Sequence, residues 1–450
     1  MSKHYDFICI GTGGAGNTAA FRLARDGKKV LICDYKPFGG TCAISGCDPK
    51  KVMITAAEFT DFQSRVMSKG VISEPATPSW KAMMAHKREF TDNHSDKLKY
   101  KYAKAGIDYL DGKASFTGEK SLKIGDDEFT FDMAFVGTGS TPLKLPFEGF
   151  EHVCTNECFL NLDALPNRIL FIGGGYISVE FANIASAFGA EVTIVQVDTR
   201  LVPEFDNDIV DVLTESLLEK GVILKTGARV DSITRSGDGY KVFIRTRDGV
   251  VTRDVDLVVH GAGRVANLDG LGLENANIET SRRGIIVNEF MQTTNESVYA
   301  GGDCTDTEGY MLSPIAFMEG YIAAGNMLEG NKRTANYNNI GTVMFNVPSI
   351  SSVGYTEKRA KEIGLDFRVN FQRTDHWFTS FRTMEKFSAY KVLIDNKTNQ
   401  ILGVHLIGPH ADDVINVFVV AMNQGMTIYD LKKTIYAYPT ASSDIIHMLG

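Results

Sequence analysis

Long hydrophobic runs are missing from this sequence. No apolar stretch approaches the roughly 20 residues that span a bilayer, so no membrane association is expected. Cysteine is sparse, with seven in 450 residues, and scattered, unlike the disulfide framework of a small secreted domain. Positive charge is not in excess. Lys and Arg number 47 against 55 Asp and Glu, for a net charge of −8, which argues against a general nucleic-acid or anionic-lipid surface. Low-complexity segments and charged tails are lacking too. No signal peptide is expected, because the apolar run at residues 5–10 leads straight into a glycine loop. A reducing cytoplasm is the expected location, where a disulfide is catalytic more often than structural. The histidines show no metal-ligand spacing, and no metal is expected.

What is present is an internal repeat. Residues 8–34 read ICIGTGGAGNTAAFRLARDGKKVLICD, and residues 170–196 read LFIGGGYISVEFANIASAFGAEVTIVQ. Both run apolar strand, glycine turn, amphipathic helix, glycine, apolar strand. Gly11 and Gly173, Gly13 and Gly175, Gly16 and Ser178, and Gly27 and Gly189 are each 162 positions apart. Each copy is a dinucleotide-binding βαβ pattern. The first glycine makes a tight turn, the second admits a pyrophosphate, and the third allows close helix packing. The pyrophosphate then sits at the positive end of the helix. Asp34 closes the first copy, where a carboxylate can accept from a ribose diol. Gln196 closes the second. A neutral amide does not repel a 2′-phosphate, and Arg200 is near enough to pair with one, so NADPH is slightly favoured and NADH stays open.

Further strand-then-turn signals follow at 131–136 with GTGSTP (Thr138, Gly139), at 256–259 with GAGR (Gly263, Arg264) and at 297–300 with GGDC (Gly302, Asp303). Near residue 335 the pattern shifts to alternating β-like and helical segments. The expected fold is α/β, with two Rossmann-like dinucleotide-binding domains and a C-terminal α+β domain. The expected boundaries are 1–145 and 265–334 for the first nucleotide domain, 146–264 for the second and 335–450 for the tail.

The segment GGTCAISGCDPKK, residues 39–51, places Cys42 and Cys47 five residues apart. Five residues of regular helix rise about 7.5 Å, more than the roughly 6.8 Å that disulfide Cα atoms tolerate. Ser45 and Gly46 supply the needed irregularity, and Pro49 suits the first turn of a following helix. Cys47 then lies near a helix N-terminus with Lys50 and Lys51 close by, and both features favour a thiolate. Cys154 and Cys158, spaced C-x3-C, read as buried or incidental cysteines, with a second redox pair as the alternative, and Cys9, Cys33 and Cys304 read as small core residues.

In order along nearly the whole chain, GTGGAG, GGTC-x4-CDPKK, GTGSTP, GGGYISVE, GAGR, VYAGGDC and TVMFNVPSISSVGYTE resemble the flavoprotein disulfide reductases, the pyridine nucleotide–disulfide oxidoreductases. The resemblance implies an FAD- and NAD(P)H-dependent homodimer. Its first nucleotide domain would hold FAD through residues including Gly40, Thr41 and Asp303, its second would hold NAD(P)H, and its tail would form the dimer interface. Cys42 would be the interchange thiol and Cys47 the charge-transfer thiol. Lys50 and Glu180 would pair beside the flavin, Tyr176 would cover it, and Ile177 would line the nucleotide. The acceptor implied is a disulfide or another small molecule.

One element departs from the family pattern. Glutathione reductase and dihydrolipoamide dehydrogenase carry His-Pro-x-x-x-Glu in the tail, whose His serves the interchange thiol. Here YAYPTASSD, residues 436–444, puts Tyr438 where His is expected and Ser443 where Glu is expected. An ordinary Tyr is roughly one part in a thousand ionised at pH 7, a poor base but still a donor. His447, on the same expected tail helix, reads as a surface or interface residue, with service as a replacement acid–base group as the alternative. A metal-ion or quinone acceptor, which needs little proton transfer, fits this departure. A C-terminal cysteine pair of the mercuric-reductase kind is not seen. A flavin-bound redox sensor with little turnover is the reading from a different class.

Overall fold

The apolar run ahead of the first glycine turn forms the strand Lys3–Ile10 in the computed structural model, which describes residues 3–450. Ile8 and Ile10 join one apolar cluster with Leu31 and Cys33. Phe7 and Cys9 join another with Val30 and Ile32. Alternate side chains thus enter cores on opposite faces. That is why the strand reads as a continuous apolar run, as parallel strands covered on both sides do. The chain divides into two units. Met1–Lys50, Ala85–Leu143 and Gly263–Tyr337 make the first, and Lys51–Met84, Lys144–Ala262 and Asn338–Gly450 the second.

In the first unit the strand order is Asp108–Asp111, Val30–Asp34, Lys3–Ile10, Asp127–Val136, Ser121–Ile124 and Ala114–Gly118, with Val298–Ala300 also paired to Asp127–Val136. The strands around Lys3–Ile10 run parallel, and the last three form an antiparallel meander. Helices Gly14–Ala24 and Ser313–Glu329 cross closely. A Cβ on Gly320 would lie 2.3 Å from the Ala15 carbonyl oxygen, so only glycine permits the approach.

The second unit repeats the parallel arrangement in four strands, ordered Ile223–Thr226, Glu191–Gln196, Arg168–Ile172 and Leu257–His260. Its tail is a five-stranded antiparallel sheet. Val414, Ile415, Phe418 and Ala421 of helix Ala411–Asn423 pack onto Val353, Val392 and Val404 of that sheet. Among the described residues, no helix is long and apolar enough to cross a membrane. The expected fold class, α/β with two parallel-sheet nucleotide folds and an α+β tail, is the one observed.

Candidate active site

The cysteine segment folds as the break between two helices. Gly40–Ser45 is a short helix. Gly46 leaves helical geometry at φ −141° and ψ −111°, and Cys47 opens the 21-residue helix Cys47–Met67. Cys42 and Cys47 both stand as thiols, close enough for each to act on the other's ionisation. Cys47 and then burial hold the Cys42 thiol above its ordinary range, while the Ser313 hydroxyl pulls the other way. Ser313 opens the helix Ser313–Glu329, and its Oγ lies 3.7 Å from Cys47 Sγ.

The first glycine turn frames this segment. Gly11 has φ +101°, and a Cβ there would stand 2.2 Å from the Gly137 carbonyl oxygen. Gly13 caps helix Gly14–Ala24 without a side-chain hydrogen bond, and the first turn holds no acidic residue. A Cβ on Gly13 would meet only the Gly40 Cα within 4 Å, at 3.9 Å. The helix end is therefore open and rich in unspent N–H groups, which fits a pyrophosphate. Asp34 accepts from the Thr12 amide at 2.8 Å and the Thr12 hydroxyl at 2.7 Å through one oxygen, and from the Lys36 amide at 3.0 Å through the other. The second oxygen, with one bond accepted, retains acceptor capacity for a ribose. The GTGS, GAGR and GGDC signals converge as well. Arg264 Nε donates to Ser140 Oγ at 2.8 Å, Ser140 Oγ donates to Asp303 at 2.8 Å, and the Gly302 amide donates to buried Glu319 at 2.6 Å.

In the second unit, Gly175 likewise caps helix Tyr176–Ala187 without a side-chain bond. A Cβ on Gly175 would meet only the Gly261 carbonyl oxygen, at 3.7 Å, so this turn also fits a pyrophosphate. Gln196 is turned inward. Its Oε1 accepts from the Gly174 amide at 2.9 Å, and its Nε2 donates to Asp198 at 2.9 Å. Arg200 pairs with Asp211. Tyr176 hydrogen-bonds Thr342 at 2.6 Å and packs on Phe205. Glu180, 1% exposed, accepts from the Phe345 amide at 2.7 Å. In the tail, Tyr438 is 81% exposed. Ser443 is buried and spends its hydroxyl on the Thr440 carbonyl at 2.6 Å.

Residues 5–320 match the family described as pyridine nucleotide-disulphide oxidoreductase, and residues 340–449 match its dimerisation domain. The chain belongs to the pyridine nucleotide-disulphide oxidoreductase family. It is 30% identical to a glutathione reductase of a Nostoc species over all of both chains. It is 31% identical to a mercuric reductase of Staphylococcus aureus, over 98% of this chain and 81% of that protein. A dihydrolipoyl dehydrogenase of Bacillus subtilis is 32% identical, over 97% of this chain and 93% of that protein. Among solved structures, the Cu(II) complex of the HOCl-induced flavoprotein disulfide reductase RclA from Escherichia coli superposes with a TM-score of 0.89 at 28% identity, over 100% and 99% of the two chains. As a member of this pyridine nucleotide-disulphide oxidoreductase family, the protein is an oxidoreductase dependent on FAD and NAD(P)H, with a close cysteine pair suited to a redox relay.

One expectation is corrected. Cys154 and Cys158 are not incidental: they are joined in a disulfide, and Cys158 is exposed. Cys9, Cys33 and Cys304 are fully buried, and burial pushes the Cys9 thiol up to about 12 and the Cys304 thiol up to about 11. Sequence reasoning missed Thr12, Ser140, Asp198 and Ser313. Thr12 and Ser140 lie inside the GTGGAG and GTGSTP motifs and Ser313 inside an SP helix start, but none of these patterns shows which distant group the side chain meets.

Proposed function

We propose that this oxidoreductase carries electrons from NADH through Cys42 and Cys47 to a small acceptor whose leaving group needs no proton from the enzyme. The observation that carries the reading is the pair of thiols, Cys42 and Cys47, on either side of a helix break beside the first glycine turn. Gly11, Gly13, Gly16, Asp34, Gly40, Thr41, Thr138, Gly139, Gly302 and Asp303 would hold FAD, with Arg264 bracing Asp303 through Ser140. Gly173, Gly175, Tyr176 and Ile177 would hold the nicotinamide nucleotide. Residues 1–145 and 265–334 are assigned to FAD, 146–264 to the nucleotide and 335–450 to a homodimer interface, in a cytoplasmic enzyme. FAD would supply hydride acceptance from the nicotinamide and two-electron reduction of a disulfide.

The protein's own part is thiol chemistry. Cys42, as thiolate, attacks an acceptor sulfur and expels its leaving group. Cys47 then attacks the Cys42 sulfur, closing the Cys42–Cys47 disulfide and releasing the second acceptor thiol. The two protons of the dithiol pass to solvent, and acceptor thiols of low pKa leave as thiolates. Lys50 and Glu180 are the proposed charged residues that tune the flavin, and Tyr438, presented by a second copy of the chain, donates a hydrogen bond to the leaving atom. Leaving groups of low pKa depart fastest, and a tail without His and Glu suits them. The name of the RclA complex and the mercuric reductases among the relatives support a second acceptor class, a thiol-binding metal ion such as Hg(II) or Cu(II).

The nucleotide reading rests on charge. Arg200 is engaged by Asp211, while Asp198 stands exposed just past the second strand. Its carboxylate repels a 2′-phosphate and accepts from a ribose diol. Steady-state NADH oxidation with an aromatic disulfide, glutathione disulfide and Cu(II) tests the acceptor. The aromatic disulfide should turn over well ahead of glutathione disulfide, and the reverse order rejects the proposed leaving-group rule.

A further inference from the structure

We propose that the Cys154–Cys158 disulfide is a second thiol-exchange site, separate from Cys42 and Cys47, at which a small external thiol attacks Cys158. Three observations carry this. First, the two sulfurs differ in access: Cys158 is exposed and Cys154 buried. Exchange depends on an approachable sulfur, and exposed disulfides are the labile ones. Second, the bridge spans only four positions, and a loop this short restrains the unfolded chain less than longer ones do. A brace is a weak explanation for it.

Third, both cysteines are held in place by contacts that do not involve the bond. The Cys154 amide donates to the Val258 carbonyl at 2.8 Å, and the Cys154 carbonyl accepts from the His260 amide at 2.8 Å. Next to Cys158, Phe159 is fully buried and stacks on Phe181 with ring centroids 4.3 Å apart. Its amide donates to the Thr155 carbonyl at 2.9 Å. The bond can open and close while its surroundings stay folded. Cys9, Cys33 and Cys304 lack this combination, because each is sealed from solvent.

The chemistry balances with two equivalents of thiol. A thiolate attacks the Cys158 sulfur and forms a mixed disulfide there. The Cys154–Cys158 bond breaks, and Cys154 leaves with the electron pair and takes a proton from water. A second thiolate attacks the sulfur of the bound thiol, releases the external disulfide and leaves Cys158 to be protonated. Two external thiols are oxidised and one protein disulfide is reduced.

The test uses the full-length FAD-loaded protein carrying Cys42→Ser and Cys47→Ser, with the wild type in parallel. Each is treated with glutathione or dithiothreitol without denaturant, alkylated and mapped by mass spectrometry. Positions 154 and 158 should go from unlabelled to nearly fully labelled under dithiothreitol, while Cys9, Cys33 and Cys304 stay protected. Cys154→Ala, treated with oxidised glutathione, should gain one glutathione at Cys158. Labelling only after denaturation, or labelling before any reductant is added, overturns the proposal. The readout does not involve turnover, so it is independent of whether the Cys42–Cys47 relay is correct.

Discussion

Ser313 Oγ lies 3.7 Å from Cys47 Sγ across 266 positions of sequence. The same hydroxyl lowers the Cys42 thiol against the rise imposed by its partner and by burial. A neutral hydroxyl at this place can donate to a thiolate of the pair.

Ser313→Ala should therefore raise the pKa of the dithiol. A hydrogen bond to a charged group contributes about 1.5–3 kcal/mol, and a sulfur contact this long should contribute less, about 1 kcal/mol or under one pH unit. The pH profile of the oxidative half-reaction should move in the alkaline direction, with flavin reduction by NADH unchanged. An unmoved profile removes Ser313 from the thiol chemistry.

Tyr438→Phe separates two classes of acceptor. With glutathione disulfide, whose leaving thiol is basic, the oxidative half-reaction should slow by roughly tenfold, below the ~10²–10⁴ of a full acid–base group. With an aromatic disulfide it should not change. Equal effects on both, measured by stopped flow, reject the donor role.

Asp198→Ala should relax nucleotide preference. Gln196 Nε2 holds the Asp198 carboxylate at 2.9 Å, beside the place a 2′-phosphate would take. Removing it should improve kcat/KM for NADPH by roughly tenfold, a change of about 1.4 kcal/mol, with little gain for NADH. A wild type that already prefers NADPH contradicts the assignment at once.

Lys391 is 2% exposed and meets Asp206 at 2.9 Å, Asp208 at 2.6 Å and Glu357 at 2.5 Å. Burial opposes ionisation of Asp206, but His405, Lys391 and the Glu357 amide outweigh it and hold the carboxyl low. Lys361 and Lys391 hold Glu357 low as well. Carboxyls depressed in the fold give stability that is complete above their unfolded values, near pH 4–5, and lost as pH falls through the lower folded values. Lys391→Met should cost about 3–5 kcal/mol at pH 7, as a buried charge loses its partner. It should also flatten the fall of Tm between pH 5 and pH 3. A variant as stable as the wild type at pH 7 rejects the clamp.

Much of this was legible because it is local. Matched glycines 162 positions apart located both turns, and Ser45 and Gly46 marked the break that lets Cys42 meet Cys47. What escaped depends on distant partners or on side-chain direction. Gln196 stands at the expected strand end but turns its amide oxygen onto the Gly174 amide of the glycine turn, which periodicity does not reveal. Lys391 reads as one charge in a strand, although its carboxylates lie up to 185 positions away. C-x3-C spacing carries no sign of bonding, and only the path of residues 154–158 brings the two sulfurs together.

Anaerobic stopped-flow reduction by NADH tests the central claim most directly, comparing wild type with Cys47→Ser. We expect the wild type to take up electrons and develop the long-wavelength absorbance of a thiolate beside oxidised flavin, and Cys47→Ser to bleach its flavin without that band. Reduction of the wild type with no such band would mean that Cys42 and Cys47 do not exchange electrons with the flavin, and the proposed relay would be wrong.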